Sequence, residues 1–194
     1  MTMQGNAIRM TQLVTDVFEK MGIPYAVGGS MSSSVHGIMR STMDVDIVAD
    51  MRLEHIPGFV SALSTDFYAD DEMIRDAISH KSSFNLIHFE TAYKVDVFIP
   101  KQRAFDQMQL ERRVASLITS DPEKAIYVTS AEDIVLSKLE WYRMGGEISD
   151  RQWRDILGVL KTKAEQIDLI YLRHWAQILK VGDLLEKVIS QSGL

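Results

Sequence analysis

Residues 43–49 read Met-Asp-Val-Asp-Ile-Val-Ala, and no other stretch limits the possible folds of this chain so strongly. Acidic and apolar side chains alternate with period two, the pattern of a β-strand with Asp44 and Asp46 on one face and Val45 and Ile47 on the other. At the usual rise per residue the two acids sit about 7 Å apart at Cα. Each disfavours ionisation of the other unless a counter-charge lies between them. A bound cation removes the conflict. Taken alone, the same alternation also describes an ordinary exposed strand with its apolar residues turned inward.

A third acid stands in a similar frame, Val95-Asp96-Val97, in a run 93–99 that reads as the second strand of a hairpin with 83–89. An acid flanked by β-branched residues is costly in a buried strand unless it lines a site. The chain has no cysteine. Any metal must therefore be held by oxygen or imidazole, and His36, His55, His80, His88 and His174 show no metal-binding spacing. Three carboxylates suit Mg²⁺, or Mn²⁺ in its place, in the two-metal arrangement used for in-line phosphoryl chemistry.

Upstream of the acid pair, Gly28-Gly29-Ser30 turns the chain out of a short strand, Tyr25 to Val27, and into a short helix, Ser30 to Ile38. Glycines there let backbone N–H groups approach a phosphate closely, and the Ser30 hydroxyl adds a donor. By itself the tripeptide is a turn and a helix cap. Other expected elements are helices at 6–21, 53–64, 70–79 and 105–110, strands at 113–118 and 125–128, and helices at 131–144, 149–163, 167–179 and 181–190. Ser130 with Asp133 forms a capping-box-like start for the first of the last group. Leu169, Ile170, Leu172, Trp175, Ala176 and Leu179 are expected on one broad apolar face, and Trp141, Trp153 and Trp175 in core packing.

The resulting fold class is α/β (α+β): a small mixed β-sheet flanked by helices, then a C-terminal helical region. Residues 1–128 form the core and 129–194 a helical region packed on it.

Gly29-Ser30, thirteen residues, then Asp44-Val45-Asp46 resembles the signature of the DNA polymerase beta-like nucleotidyltransferase superfamily, with Asp96 where its third carboxylate is expected. Arg40 and Thr42 match a variant of that motif. The run Ser130 to Tyr142 (SAEDIVLSKLEWY) and Arg151 to Leu157 (RQWRDIL) is similar to AbiEii-type bacterial nucleotidyltransferases associated with toxin–antitoxin systems. The resemblance covers about residues 22–160. It implies the nucleotidyltransferase fold and an active site that includes Lys138 and Asp155. Without it, Lys138 reads as a surface lysine covering apolar neighbours, and Asp155 as a partner of Arg151.

In the first hundred residues 7 Lys and Arg stand against 13 Asp and Glu, and in the rest 14 against 14, so the net charge of −6 belongs to the half that carries the acid pair. That balance argues against a binder that works by broad neutralisation of nucleic-acid phosphates. The first twenty residues interrupt every apolar stretch with polar groups. They read as neither signal peptide nor membrane span, and a cytoplasmic protein is expected.

The function implied is Mg²⁺-dependent transfer of a nucleoside monophosphate from an NTP to a hydroxyl acceptor, with pyrophosphate released. Asp44, Asp46 and Asp96 hold metal, and Gly29, Ser30, Arg40, Lys138 and Asp155 bind the nucleotide. The acceptor is RNA, protein or a small molecule, and an antitoxin protein is a further expected partner. The alternative is a non-catalytic module that binds a nucleotide or a partner through a relic site.

Overall fold

The computed structural model describes residues 3–36, 44–120 and 123–194. Arg40 and Thr42 lie outside the described residues, as does the end of the helix expected to Ile38. Two compact units divide the chain, Met1–Met31 with Ser41–Val128, and Ser32–Arg40 with Thr129–Leu194.

Among the described residues the first unit carries one seven-stranded sheet: β1 Tyr25–Val27, β2 Asp44–Ala49, β3 Phe67–Tyr68, β4 Ser83–His88, β5 Lys94–Phe98, β6 Val114–Ser120 and β7 Glu123–Val128. The strand order is β3-β4-β5-β2-β1-β7-β6. β2 pairs with β5, and β1 with β7, in parallel, whereas the other neighbours are antiparallel. The sheet is therefore mixed, as expected, with the acid-bearing strands side by side near its middle. The two-residue β3 was not legible as a strand in the sequence. It exists because Phe67 and Tyr68 add to the edge of β4 opposite His88 and Ile87.

Period-two burial explains why these strands hold their orientation. Val45, Ile47 and Ala49 on β2, Val95 and Val97 on β5, and Phe84, Leu86 and His88 on β4 are all buried. Helices α1 (Met3–Lys20), α3 (Ile56–Leu63) and α4 (Asp71–His80) flank this sheet, α1 contacting β2 and α4 contacting β4. Their apolar residues Val14, Phe18, Ile56, Phe59, Ile74 and Ala77 are fully buried. Phe18 stacks on Phe59 with ring centroids 5.1 Å apart and on Tyr25 at 5.7 Å, and Phe59 meets Phe84 edge-on at 6.2 Å. Truncating such a ring to alanine costs about 3–5 kcal/mol. The opposite residues of the strands, Asp46, Asn85 and Asp96 among them, are only partly covered.

The second unit is helical, with α6 (Ala131–Met144), α7 (Asp150–Thr162), α8 (Leu169–Ile178) and α9 (Gly182–Ser192). Each buries one stripe, for example Ile156, Val159 and Leu160 on α7 and Leu184, Leu185 and Val188 on α9. Two expectations fail here. Ile170 is 83% exposed, because the buried stripe of α8 runs through Leu172, Trp175 and Ala176 and leaves the start of the helix outside it. Trp141 is 51% exposed, whereas Trp175 is buried, so core packing accounts for the latter only. At the start of α6 the Asp133 backbone N–H donates to Ser130 Oγ at 3.2 Å, and the same hydroxyl donates to Asp133 Oδ2 at 2.8 Å. The shorter Asp side chain takes a bond from the hydroxyl where a Glu would reach back to the backbone. No described helix is long and apolar enough to cross a membrane.

Candidate active site

Strand register brings acidic positions of β2 and β5 together. Asp46 pairs directly with Asp96, and Asp44 with Lys94, in the parallel ladder of β2 and β5. Neighbouring strands lie about 4.8 Å apart, and in-register residues project from the same face. Asp46 and Asp96 therefore stand side by side, in a row that β4 continues with Asn85, the antiparallel partner of Asp96. The side chain of Asp44 lies outside the described ones.

The turn from β1 into α2 (Gly29–Val35) closes on this row. The Gly28 N–H donates to the Asp46 carbonyl oxygen at 2.8 Å. Gly29 has φ +56°, in the left-handed region, and a Cβ built on it would fall 1.8 Å from Asp46 Oδ2. Glycine is favoured on both counts: a Cβ would push the Asp46 carboxylate out of its place, and the left-handed backbone conformation costs other residues more. The sequence motif thus has a physical basis, since Gly29 is the wall against which Asp46 rests. Ser30 follows, half-buried, at the start of a helix of seven residues.

One residue that the sequence reading missed belongs to the same row. Lys94 Nζ lies 2.8 Å from Asp96 Oδ2, with the lysine side chain 45% exposed and the aspartate 20%. Its period-two spacing from Asp96 on β5 was the available signal.

Lys138 and Asp155 belong to the second unit, where α6 and α7 bring them together. Lys138 Nζ donates to Asp155 Oδ2 at 2.9 Å, with side chains 11% and 10% exposed. Lys138 is therefore not a surface lysine, and its ammonium is a partner of the Asp155 carboxylate. The same unit holds further polar contacts. Tyr171 Oη donates to Asp133 Oδ1 at 2.7 Å, Ser32 Oγ donates to the Thr129 carbonyl at 3.1 Å, and His36 Nε2 bonds the same carbonyl at 2.7 Å. Burial holds the His36 pKa below its ordinary value, with the Lys163 charge acting in the same direction and the Thr129 bond and Glu132 opposing it.

No family model matches the chain, and no curated protein matches it. The similarity is to solved structures. An antigenic nucleotidyltransferase-like protein from Paracoccidioides brasiliensis superposes with a TM-score of 0.59 at 16% identity, over 96% of this chain and 92% of that one. The solution structure of the antibiotic-resistance factor ANT(2'')-Ia gives a TM-score of 0.56 at 7% identity, over 97% and 95%. The crystal structure of ANT(2'')-Ia in complex with adenylyl-2''-tobramycin gives 0.54 at 10%, over 88% and 96%.

The fold is that of the nucleotidyltransferases. Within it, Asp46 and Asp96 offer hard oxygen donors side by side against a glycine wall, a donor set that fits a divalent cation. Among the described residues no group of three metal-ligating side chains gathers. Two of the three expected ligands are described as a pair, and the third would be the Asp44 carboxylate.

Proposed function

We propose that the chain is a metal-dependent nucleotidyltransferase that moves a nucleoside monophosphate from an NTP to a hydroxyl acceptor. The observation that carries the proposal is the in-register pairing of Asp46 with Asp96, with Gly29 shaped to the Asp46 carboxylate. Two acids held side by side cost stability without a cation, and a glycine in a backbone conformation that favours glycine leaves room for that arrangement.

Asp44, Asp46 and Asp96 would hold Mg²⁺ or Mn²⁺, which supplies neutralisation of the triphosphate charge and of the charge that develops on pyrophosphate. Asp96, at the side of the row next to β4, accepts the proton of the acceptor hydroxyl as that oxygen attacks the α-phosphorus. The bond from the α-phosphorus to the bridging oxygen breaks, and pyrophosphate leaves. Gly29 and Ser30 hold the outer phosphates through backbone N–H groups and the serine hydroxyl. Arg40, Lys138 and Asp155 are assigned to nucleotide binding on the sequence resemblance.

The acceptor is named by experiment: each labelled NTP is incubated with Mg²⁺ and cell extract, and label is followed into RNA, protein and small molecules. Asp96→Asn is expected to lower transfer by at least about a thousandfold while changing NTP affinity by less than about tenfold, the pattern of a lost proton acceptor in a kept site. Unchanged turnover in that variant sinks the assignment of Asp96.

The AbiEii-like runs at 130–142 and 151–157 support a narrower reading, in which the enzyme is the toxin of a pair and an antitoxin protein is its partner. Growth arrest on expression of the wild type, with none on expression of Asp96→Asn, is its expected result.

A further inference from the structure

Lys94 is the positively charged residue of the carboxylate row, and the reaction above has no use for it. It sits two residues before Asp96 on the same face of β5, opposite Asp44 in the ladder, with its ammonium 2.8 Å from Asp96 Oδ2. A lysine on this face conflicts with a cation site, because a positive charge beside the carboxylates repels an incoming metal. Its side chain is nearly half exposed, and four methylene groups let the ammonium leave the carboxylate without any movement of the strand.

We propose that Lys94 is a built-in counter-ion that occupies the carboxylate row when no metal is bound and transfers to a phosphate oxygen of the nucleotide when the metal takes its place. The proposal rests on the nucleotidyl-transfer reading and adds to it an order of events. In the metal-free protein the ammonium offsets the repulsion between Asp46 and Asp96. A bare cation must displace it, so metal alone binds weakly. A cation arriving with a triphosphate brings the anionic oxygens that receive the displaced ammonium, and the two ligands favour each other. The result is a site selective for the metal–nucleotide complex over the free ion. This coupling is reciprocal: metal raises nucleotide affinity by the same factor.

The opposite signs of the two effects make the proposal testable by Lys94→Met, which keeps the stem and removes the charge. Calorimetric titration with Mg²⁺ alone should show binding tightened by about two- to fivefold, the worth of a partly exposed ion pair no longer to be broken. Titration with Mg²⁺ plus α,β-methylene analogues of the four NTPs should show binding weakened at least fivefold, about the worth of one charge-assisted contact. Lys94→Arg, which preserves the charge, should restore both values towards wild type.

A change of the same sign in the two titrations, or none in either, overturns the role of Lys94 while leaving the nucleotidyltransferase reading intact. A wild type that takes up neither Mg²⁺ nor its complex with any analogue overturns both. Circular dichroism of each variant checks that it folds, and Lys94→Gln serves as the second neutral variant.

Discussion

Two charge clusters of this molecule obey opposite rules. On the sheet, Asp46 lies beside Asp96 in register, acid next to acid, half-covered and within reach of a flexible lysine. In the helical unit, Lys138 and Asp155 form an ion pair that is almost fully buried. The first cluster favours a mobile positive charge from outside, and the second carries its neutraliser with it. Buried pairs of the second kind are weak evidence for function, since breaking them is what is costly, not lacking them. The sheet cluster therefore carries the functional argument, and the helical pair carries one only by resemblance.

The largest effect expected from this contrast is on stability. Lys138→Met leaves Asp155 charged without that partner in a site about one-tenth exposed, and should lower unfolding free energy by about 3–5 kcal/mol in denaturant titrations. Lys138→Met combined with Asp155→Leu should recover most of the loss. The double variant also divides the two readings of the pair. Retained transfer activity would mark it as structural, and a folded but inactive double variant would place it in the nucleotide site.

How far the sequence announced these clusters depended on the range of the contacts involved. Period-two alternation exposed β2, β4 and β5, and with them the face on which Asp46 and Asp96 lie, because strand geometry is local. Which strand lies next to which is not local, and the Asp46–Asp96 register was reached only through family resemblance. Lys94 went unnoticed because a lysine in an alternating strand has an ordinary explanation until its distance to Asp96 is known. The exposure of Ile170 and Trp141 had the same origin: helical periodicity gives the width of an apolar stripe but not which end of it is covered. The two-residue β3 has no sequence signal at all, since its hydrogen bonds come from β4.

The next effect is smaller and tests the sheet cluster directly. Gly29→Ala places a Cβ where Asp46 Oδ2 lies and forces alanine into φ +56°. The backbone strain alone should cost about 1–2 kcal/mol. The displaced carboxylate should cost more in activity than in stability, so transfer should drop by at least about a hundredfold in a protein that still folds, as befits a misplaced ligand. Equal activity in Gly29→Ala would show that the position of Asp46 is not what the glycine protects, and the wall would lose its functional meaning.

A neutral polar group gives the gentlest version of the comparison. His36 is buried and bonded to the Thr129 carbonyl, which can only accept, so its Nε2 carries the proton and donates. Burial depresses its pKa, with Lys163 reinforcing the depression and Glu132 opposing it. Between that depressed value and the ordinary one, near 6.5, the unfolded chain takes up a proton that the folded chain refuses. The stabilisation from a neutral His36 is thus fully present above about pH 6.5 and is lost as pH falls through the folded-state value. His36→Gln can keep a donor to Thr129 but has no titration, so its unfolding free energy should fall less steeply than that of the wild type from pH 7 towards pH 5. Parallel slopes for the two proteins would mean that His36 is protonated as readily in the folded chain as in the unfolded one. The helical unit would then tolerate a buried positive charge there, as it does at Lys138, and the distinction between its internally neutralised groups and the cation-seeking carboxylates of the sheet would narrow.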